Sequence, residues 1–324
     1  MRIAILGATG AVGRQMIECL DEQNIDVTDL VLLASKKSEG QVIKFKDKEY
    51  VVHEVKHDSF AGCDIVLGAS SNEVAKTYRE DIVKAGAVFI DNSSAFRMED
   101  DVPLVVPEIN GEDAKKHHGV ISNPNCSTII TLMAINAINK VSPIKCMVAS
   151  TYQAVSGAGK GGIDELNEEI KDINYKPNVF PYTIAYNCIP FIGSIKTDDY
   201  TSEEMKMENE GRKILHNPNL KVTCTCVRVP VLRSHCISVS LKCEKDLTVD
   251  EVKQALGKQE GVVLYDEPLD NKYPMPIVTS NQDKVYVGRI RKDRVLEGGI
   301  SLFCSGDQIR KGAASNAVEI IKYL

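Results

Sequence analysis

The feature that most constrains the fold is a strand, a glycine turn and a helix at the start of the chain. The apolar run Arg2–Leu6 leads directly into GATGAVG, residues 7–13, and then into a stretch with helical periodicity. Glycines let a backbone approach a pyrophosphate, and the following helix N-terminus supplies N–H groups and positive potential. The spacing is G-x-x-G-x-x-G, so a glycine-rich turn in another α/β protein is the alternative. We predict a dinucleotide-binding turn that uses Gly7, Gly10 and Gly13.

Further strands and helices alternate after this unit. Strand-like runs are Asp29–Ala34, Glu49–His53, Asp64–Leu67, Ala87–Ile90 and Leu104–Val106, and a helical pattern covers Asn72–Lys84. Such alternation predicts a parallel sheet wound on both faces. The expected fold class is α/β: a Rossmann-type doubly wound parallel sheet, followed by a second, α+β domain with a mixed sheet. We expect residues 1–126 with 307–324 to form the first domain and residues 127–306 the second.

The end of the second strand predicts which dinucleotide binds. NAD-binding folds usually place an acidic residue there for the ribose 2′-hydroxyl. This tip carries Lys36, Lys37 and Ser38 instead. Hydroxyls and lysines suit a 2′-phosphate, so NADP is predicted over NAD. A pair of solvated loop lysines is the alternative.

Two later strand ends also carry chemistry. Gly68–Asn72 is typical of a loop over a nucleotide, and Asp91–Arg97 ends in an arginine. Ligands bind such sheets at the carboxyl ends of the strands. Arg97 is therefore a candidate anion clamp, with an ordinary surface arginine as the alternative.

Cys126 lies within Ser122–Thr128, between an apolar strand and a helical pattern. Pro124 cannot sit inside the helix, so the helix should begin just after it. A thiol in the first turn lies beside unpaired N–H groups and the positive end of the helix dipole, which favours the thiolate and lowers its pKa. Cys126 is thus a candidate nucleophile, and the alternative is a small buried hydrophobe.

A cysteine nucleophile needs a base, and His235 is the best of the six histidines. It lies in the predicted strand Val231–Leu241, which follows the strand Lys221–Pro230 that contains Arg228. A structural hydrogen-bond donor is the alternative role. No zinc site is predicted around it, because Cys224, Cys226 and Cys236 lack C-x-x-C or H-x-x-x-H spacing.

The rest of the second half offers weaker signals. A strand, Ile144–Gln153, precedes a loop with four glycines in residues 157–162, and helices follow at 163–170 and 202–215. Residues 174–200 are irregular and fit an interface or a lid. Glu203 and Lys206 share a helix face, which by itself predicts only a solvated salt bridge. A terminal helix at 306–321 is rich in small residues and should pack back onto the first domain.

Composition excludes several classes of protein. A net charge of −6 without a long basic run argues against nucleic-acid or anionic-membrane partners. No run of 18 apolar residues exists, and the N-terminal glycines fit a folded unit better than a signal peptide. The ten cysteines are scattered through a large chain, so no disulfide framework is predicted. We expect a reducing cytoplasm and a small-molecule substrate.

Taken together, these stretches resemble the aspartate-β-semialdehyde dehydrogenase family almost from end to end. The similarity lies in GATGAVG, SSAFR, SNPNCST, TYQAVSGAGKGG, EEMKMENEGRKI, RVPVLRSH and RKGAASN. SNPNCST together with an arginine seven residues before a histidine is highly specific. The resemblance implies NADPH-dependent conversion of 4-phospho-L-aspartate to L-aspartate 4-semialdehyde, with release of phosphate, on the route to lysine, threonine and methionine.

The resemblance also implies residue roles. Cys126 would attack the acyl phosphate to form a thioester, His235 would act as general acid/base, and Gln153 would position the acyl group. Arg228 would hold the substrate carboxylate and Glu203 its amino group.

The same resemblance implies roles in binding phosphate and cofactor. Arg97, Asn125 and Lys206 would hold the phosphate. Cofactor contacts would come from Gly7, Thr9, Gly10, Ala11, Val12, Gly13, Lys37, Ser38, Ser156, Gly157 and Gln308. Bacterial relatives often carry arginine where Lys37 stands, and lysine lacks its bidentate fork, so NAD could be tolerated.

Three other functions compete with this interpretation. The nearest is N-acetyl-γ-glutamyl-phosphate reductase, which shares the two-domain plan and the cysteine chemistry. A Tyr-x-x-x-Lys reductase is excluded, because none of the eleven tyrosines has a lysine four residues later. An inactive homologue that serves as a binding partner would be expected to lack Cys126 or His235. The broad sheet of the second domain favours a homodimer, with a homotetramer as the other possibility.

Overall fold

The computed structural model describes all 324 residues, which pack as two compact units. The first consists of Met1–Asn125 and Ala313–Leu324, and the second of Cys126–Gly312. The domain limits expected from the sequence, after residue 126 and before residue 307, stay a prediction.

Thirteen strands and nine α-helices make up the two units. The strands are β1 (Arg2–Leu6), β2 (Asp29–Ala34), β3 (Val42–Phe45), β4 (Lys48–Glu54), β5 (Ile65–Gly68), β6 (Val88–Asp91), β7 (Val120–Ser122), β8 (Ile144–Gln153), β9 (Lys221–Arg228), β10 (His235–Cys243), β11 (Val262–Leu264), β12 (Val285–Lys292) and β13 (Ile300–Gly306). The helices are α1 (Ala11–Glu22), α2 (Asn72–Lys84), α3 (Pro107–Asn110), α4 (Cys126–Val141), α5 (Lys160–Lys171), α6 (Ser202–Ile214), α7 (Val249–Leu256), α8 (Pro276–Thr279) and α9 (Ser315–Ile320). No helix has the length and apolarity that crossing a membrane requires.

The first unit contains the predicted doubly wound sheet. Its strand order is β3-β4-β2-β1-β5-β6-β7, and every neighbouring pair is parallel except β3 and β4. The antiparallel edge strand β3 was not expected. Leu104–Val106, expected as a strand, forms only an isolated bridge between Leu104 and Ser122. Its ladder is interrupted because the Val106 N–H donates to Asn110 Oδ1, and because prolines stand on both sides of it.

Apolar packing covers both faces of this sheet, as the fold class requires. Along β1, alternate side chains point to opposite faces. Ile3 and Ile5 pack in one core with residues of α1 and α9, whereas Ala4 and Leu6 pack in a second core with residues of α2. This double burial explains why β1 is a continuous apolar run. The C-terminal helix is thus a structural part of the first unit.

The second unit is built on a mixed sheet, also as predicted. Its order is β11-β12-β13-β10-β8-β9, with β8/β9 and β11/β12 parallel and the other pairs antiparallel. Helix α4 contacts one face of this sheet and is buried from Ser127 to Ile138. The opposite face is more open, and Val148 and Tyr152 of β8 are 47% and 40% exposed there.

Several element boundaries differ from the sequence expectation for local reasons. The strand expected from Val231 begins only at His235, because Ser234 has a positive φ of 74° that breaks the extended backbone. The expected tail helix is divided: β13 runs to Gly306, a π-helical turn covers Arg310–Ala314, and α9 follows. The helix expected after Pro124 begins at Cys126.

Candidate active site

The glycine turn of the first unit forms a cradle that only glycine can build. Gly7 has φ of 96°, and a Cβ there would lie 2.4 Å from the Ala69 carbonyl oxygen. A Cβ at Gly13 would lie 2.3 Å from the Gly7 oxygen. Helix α1 begins within the glycine turn, with Gly10 as its N-cap residue and Ala11 as its first residue, so Gly13 lies in its first turn. This closely packed turn at a helix N-terminus fits a pyrophosphate, because the first backbone N–H groups of a helix have no partner within the helix and are suited to an anion.

A hydroxyl pair joins this turn to the end of β2. Thr9 Oγ1 lies 3.2 Å from Ser38 Oγ, within hydrogen-bond distance. Ser38 closes a single 3₁₀ turn that begins at Lys36, and both Lys36 and Lys37 are exposed. The end of β2 therefore presents positive charge and hydroxyls beside the glycine cradle.

Arg97 is buried in the first unit and is held by main-chain oxygens. Its Nε donates to the Asn123 carbonyl at 2.9 Å and its Nη2 donates to the Asn92 carbonyl at 2.9 Å. Asn92 and Asn123 directly follow β6 and β7, so Arg97 is fixed at the carboxyl ends of two neighbouring strands. Asn125 is also buried and lies two residues beyond Asn123. This edge of the sheet therefore holds a fixed guanidinium.

The carboxylate of Asp91 supports this corner. Its two oxygens accept hydrogen bonds from the Ser93 N–H and the Ser93 hydroxyl. Burial raises the pKa of Asp91, although those hydrogen bonds and the charge of Arg97 act in the opposite direction. Next to it, the Ser94 N–H donates to Asn72 Oδ1 at 2.9 Å, which ties the expected nucleotide loop to the segment after β6.

In the second unit, one edge of the mixed sheet collects the predicted catalytic residues. Gln153 at the end of β8 is paired in register with Arg228 at the end of β9. His235 begins the antiparallel strand β10 and pairs with Gly306 at the end of β13. Because β10 runs opposite to its neighbours, its first residue lies at the same edge as their last residues.

Cys126 is the first residue of α4 and belongs to the same environment. Gly312 packs against it: a Cβ at Gly312 would lie 2.8 Å from Cys126 Cβ. Burial lowers the pKa of the Arg228 guanidinium, while the charges of Cys126 and Glu203 raise it. Arginine stays a cation in proteins, so a positive charge faces the thiol.

The backbone of Ala154 anchors both Arg228 and His235. Arg228 Nη1 donates to the Ala154 carbonyl at 2.6 Å, and the Ala154 N–H donates to His235 Nδ1 at 3.0 Å. Since a backbone N–H can only donate, Nδ1 must be an acceptor, and the neutral imidazole carries its proton on Nε2. A single peptide segment therefore sets the position of the arginine and the tautomer of the histidine.

The Nε2 atom of His235 is buried and has no hydrogen-bond partner in the protein. Burial and, to a smaller extent, the positive charge of Arg228 together lower the pKa of His235 to about 3, against the opposing effects of Glu203 and the Ser234 backbone. The imidazole is therefore neutral at physiological pH. Gly157 lies beside this atom, since a Cβ there would be 3.3 Å from Nε2 and 2.6 Å from Arg228 Nη1. An unsatisfied buried donor next to a glycine is the arrangement expected where a ligand atom binds.

A polar chain runs from Gln153 to Lys206. Thr151 Oγ1 donates to Gln153 Oε1 at 3.0 Å, and Gln153 Nε2 donates to Glu203 Oε1 at 3.2 Å. Lys206 Nζ donates to Glu203 Oε2 at 2.9 Å. Glu203 is 9% exposed, so the Glu203–Lys206 pair is more than the solvated surface salt bridge that spacing alone predicts.

Two predicted cofactor residues, Ser156 and Gln308, lie in the second unit and bond to each other. Gln308 Nε2 donates to Ser156 Oγ, which in turn donates to the Leu232 carbonyl. Gln308 Oε1 accepts from the Ser234 N–H at 2.7 Å. Both side chains therefore brace the segment that leads into His235.

The remaining cysteines are free thiols without a metal arrangement. Cys224 and Cys226 point to the same side of β9, with their Sγ atoms 3.7 Å apart. Their mutual hydrogen bond and burial raise the pKa of Cys224. No group of three or more His, Cys, Asp or Glu side chains is arranged to hold a metal ion.

Sequence reasoning missed three residues that shape this site. Ala154 acts through its backbone and so leaves no side-chain signal. Gly312 was seen only as part of a small-residue stretch, and its contact with Cys126 depends on tertiary packing. Phe180 lies in the irregular segment; its ring centroid is 5.8 Å from the guanidinium carbon of Arg228.

Comparison with known proteins gives matches over both units. Residues 2–117 match the family model for the semialdehyde dehydrogenase NAD-binding domain, and residues 135–311 match the model for the semialdehyde dehydrogenase dimerisation domain. The chain is 48% identical over 331 residues to aspartate-semialdehyde dehydrogenase of Aquifex aeolicus, covering 100% of this chain and 97% of the relative. It is 42% identical over 336 residues to that of Bacillus subtilis, covering 100% and 97%.

Solved structures agree with these relatives. Aspartate semialdehyde dehydrogenase II from Vibrio cholerae, complexed with ASA, has a TM-score of 0.97 at 39% identity and covers 100% of this chain and 97% of that one. The Candida albicans enzyme with NADP has a TM-score of 0.77 at 25% identity, covering 100% and 98%.

Proposed function

The chain belongs to the aspartate-semialdehyde dehydrogenase family, and on that basis we propose that it interconverts 4-phospho-L-aspartate and L-aspartate 4-semialdehyde through a thioester on Cys126. The observation that carries this mechanism is the open Nε2–H of His235, buried at the sheet edge that also holds Arg228 and faces Cys126. We place the reaction in the synthesis of lysine, threonine and methionine.

Two charged residues of the second unit suit the ends of an amino-acid substrate. The buried guanidinium of Arg228 binds the α-carboxylate, for which its fork is suited. Glu203 binds the α-ammonium group, and Gln153, which donates to Glu203, orients the acyl group. These assignments favour a free amino acid over an N-acylated one, because an acetylated nitrogen carries no charge for Glu203 to neutralise.

The phosphate requires cations and N–H donors. Arg97, Asn125 and Lys206 are the proposed phosphate ligands. Arg97 is already oriented by two carbonyl hydrogen bonds, which limits the entropy lost when an anion binds.

Chemistry begins at the Cys126 sulfur. The thiolate attacks the acyl carbon, the bond from that carbon to the phosphate oxygen breaks, and phosphate leaves with both electrons of that bond, so that a thioester remains. When bound, the nicotinamide supplies the hydride that reduces this thioester. The carbon–sulfur bond then breaks, the aldehyde is released and Cys126 returns as a thiolate.

His235 contributes as a donor at Nε2. Negative charge develops on the acyl oxygen during both attack and reduction, and a buried N–H directed at that oxygen stabilises it. The Ala154 hydrogen bond and the pKa of about 3 both disfavour the imidazolium form in the resting protein. Of the general acid/base role expected for His235, this environment therefore supports hydrogen-bond donation from Nε2.

The cofactor is a nicotinamide dinucleotide, and we propose NADP. The cradle of Gly7, Gly10 and Gly13, with Thr9, Ala11 and Val12, would hold the pyrophosphate, and Lys37 and Ser38 would hold the 2′-phosphate. Ser156, Gly157 and Gln308 would contact the nicotinamide.

Replacing Lys37 by alanine should lower the NADP-to-NAD ratio of kcat/KM about tenfold, because one phosphate contact is lost. An unchanged ratio would remove Lys37 from the site.

The protein assembles as a homo-oligomer, and we propose a homodimer formed through the open face of the second unit's sheet. The central part of this face is uncharged, and it is formed by Val148, Ser150, Tyr152, Thr223, Thr225 and Phe303. Uncharged, partly aromatic patches of this kind favour association with a second copy.

Phosphate-dependent reduction of NADP by L-aspartate 4-semialdehyde tests the function, with N-acetylglutamate semialdehyde as the competing substrate. We expect kcat/KM to favour aspartate semialdehyde at least a hundredfold. Preference for the N-acetylated substrate would overturn the assignment.

Cys126→Ser should lower kcat roughly a thousandfold while NADP still binds. Wild-type turnover in that variant would remove the thioester from the mechanism.

A further inference from the structure

We propose that Glu165 and Glu169 are positioning residues for the substrate-binding arginine, Arg228, and that they act by fixing the loop of residues 178–185. The inference rests on the proposed role of Arg228 in binding the substrate carboxylate. It assigns a task to two buried carboxylates that the chemistry described above does not use.

Both carboxylates lie on one face of α5, four residues apart. Glu165 is 3% exposed and Glu169 is 0% exposed. Buried glutamates are rare, because removing a carboxylate from water costs much free energy unless partners replace the water. The partners of these two are backbone N–H groups of one loop.

Glu165 holds the first half of that loop with both oxygens. Oε2 accepts from the N–H groups of Asn178 and Val179 at 2.6 Å each, and Oε1 accepts from the Phe180 N–H at 3.0 Å. Hydrogen bonds to an ionised group are stronger than neutral ones. Three consecutive backbone groups are therefore fixed by one side chain.

Glu169 holds the second half of the loop through a single oxygen. Oε2 accepts from the N–H groups of Ile184 and Ala185 at 2.8 Å each, whereas Oε1 is buried without a hydrogen-bond partner. Ile184 and Ala185 also pack in a small apolar cluster with Leu166 of α5. The loop thus rests on the helix through both hydrogen bonds and apolar contacts.

The loop and the segment that follows it both contact Arg228. The ring of Phe180 lies beside the guanidinium, at 5.8 Å from centroid to Cζ. Farther along, the backbone of Ile189 pairs with Arg228, with N–H to oxygen distances of 2.8 and 3.0 Å. The same segment bounds a cavity of about 320 Å³, lined by Phe180, Phe191 and Arg228 among others. Displacement of the loop would alter both the cavity wall and the position of the Phe180 ring beside the guanidinium.

The first experiment measures KM separately for the semialdehyde, phosphate and NADP in Glu165→Gln. An amide NH₂ must face at least one of the three N–H groups, so one or more hydrogen bonds are lost. We expect KM for the semialdehyde to rise about tenfold, while the other two KM values and kcat change less than threefold. Equal changes in all three KM values, or no change in any, would overturn the proposal.

Glu169→Gln provides a graded comparison. Its NH₂ can occupy the position of the unpartnered Oε1 and leave both hydrogen bonds in place, so the rise in KM should be smaller, about twofold. A larger effect than that of Glu165→Gln would contradict the proposed geometry. Thr248→Ala, which removes the N-cap of α7, is the matched control for lost stability and should leave KM for the semialdehyde unchanged.

A fluorescence measurement tests the loop without relying on turnover. The chain has no tryptophan, so Phe180→Trp introduces a single reporter on the loop. Adding Glu165→Gln should raise the acrylamide quenching constant at least twofold, because the loop is released from α5. Unchanged quenching would overturn the positioning role whatever the substrate proves to be. If quenching rises but the wild-type protein does not oxidise the semialdehyde, the loop is fixed as proposed and the assigned function is what fails.

Discussion

Gly157 illustrates how one absent side chain can define a reaction site. A Cβ at this position would lie 2.6 Å from Arg228 Nη1 and 3.3 Å from His235 Nε2. The first distance is shorter than any tolerated contact, and the flexible guanidinium would have to move. The space beside Gly157 is therefore bordered by both the guanidinium and the imidazole, the two groups proposed to contact the substrate.

Gly157→Ala should lower kcat/KM for the semialdehyde by about a hundredfold or more, chiefly through KM, because the guanidinium is displaced from its hydrogen bond to Ala154. Steady-state kinetics with saturating phosphate and NADP measure the effect. Gly211→Ala is the matched control in the same unit, since a Cβ there meets only ordinary contacts at 3.6 Å or more. Near-normal kinetics for Gly157→Ala would show that the substrate does not bind in the space beside Gly157.

The buried imidazole of His235 makes a second prediction, which concerns stability. Its pKa is about 3 in the folded protein, against about 6.5 in an unfolded chain. Below pH 6.5 the unfolded state takes up a proton that the folded state does not, so stability falls as the pH falls. Between pH 7.5 and 5.5 this group alone should remove about 1 kcal/mol of unfolding free energy.

Urea unfolding of the wild type and of His235→Asn at pH 7.5 and 5.5 isolates this contribution, because asparagine does not titrate. The wild type should lose about 1 kcal/mol more than the variant on acidification. Arg228 and Glu203 face the same group and remain in both proteins, so their effects cancel in the comparison. An identical pH dependence in the two proteins would contradict the neutral, buried state of His235.

Individual residues of the site were predictable to the extent that their side chains carry the chemistry. Cys126, Arg228 and His235 stand in recognisable motifs, and the structure brings Arg228 and His235 to one sheet edge and Cys126 to the start of the adjacent α4. The tautomer of His235 was not predictable, because it depends on the backbone N–H of Ala154. Glu165 was not predictable either, since a helical glutamate in sequence gives no sign that it will be buried.

Among the helices, α6 depends most directly on its first turn. Thr201 Oγ1 accepts from the Glu204 N–H at 3.3 Å, and Glu204 Oε2 accepts from the Thr201 N–H at 2.7 Å, which forms a capping box. Glu203, the proposed ligand of the substrate ammonium group, lies within this turn. The cap therefore fixes the turn that carries this proposed substrate ligand.

Thr201→Ala should cost about 1 kcal/mol of unfolding free energy and raise KM for the semialdehyde several-fold, because the first turn frays. Thr248→Ala breaks the same capping box in α7 and should cost a similar amount of stability with no change in KM. Urea unfolding and steady-state kinetics on both variants make the comparison. If the two variants have equal KM values, the position of Glu203 does not depend on its cap.

The elements themselves show where sequence patterns succeed. The expected bounds Arg2–Leu6, Asn72–Lys84 and Ile144–Gln153 match β1, α2 and β8, because each stretch ends at a distinct turn or loop signal. Edge strand β3 was missed, since a short strand at a sheet margin has only one paired side and a weak pattern. The interrupted bridge at Leu104 also escaped pattern reasoning, because a hydrogen bond from the Val106 N–H to Asn110 Oδ1 replaces the ladder.

At the level of the whole molecule, the burial of each sheet accounts for the hydrophobic pattern of its strands. The first unit uses a sheet buried on both faces, and therefore its central strands β1 and β5 are short and largely apolar. The second unit covers one sheet face with α4 and leaves the other open, so β8 alternates buried and exposed residues. Only the strand order reveals that the exposed residues of several strands form one continuous face.

That face provides the last prediction. Val148 lies near its centre, on a strand with neighbours on both sides, and is 47% exposed in the single chain. In a dimer formed through this face, a glutamate at 148 would bury an unpaired carboxylate, which costs several kcal/mol. Val148→Glu should therefore lower the dimer affinity by at least a hundredfold, and sedimentation velocity should detect monomers at micromolar concentration. Val141→Glu, at an equally exposed valine at the end of α4, is the matched control and should stay assembled. If Val148→Glu also stays assembled, the oligomer forms through another surface.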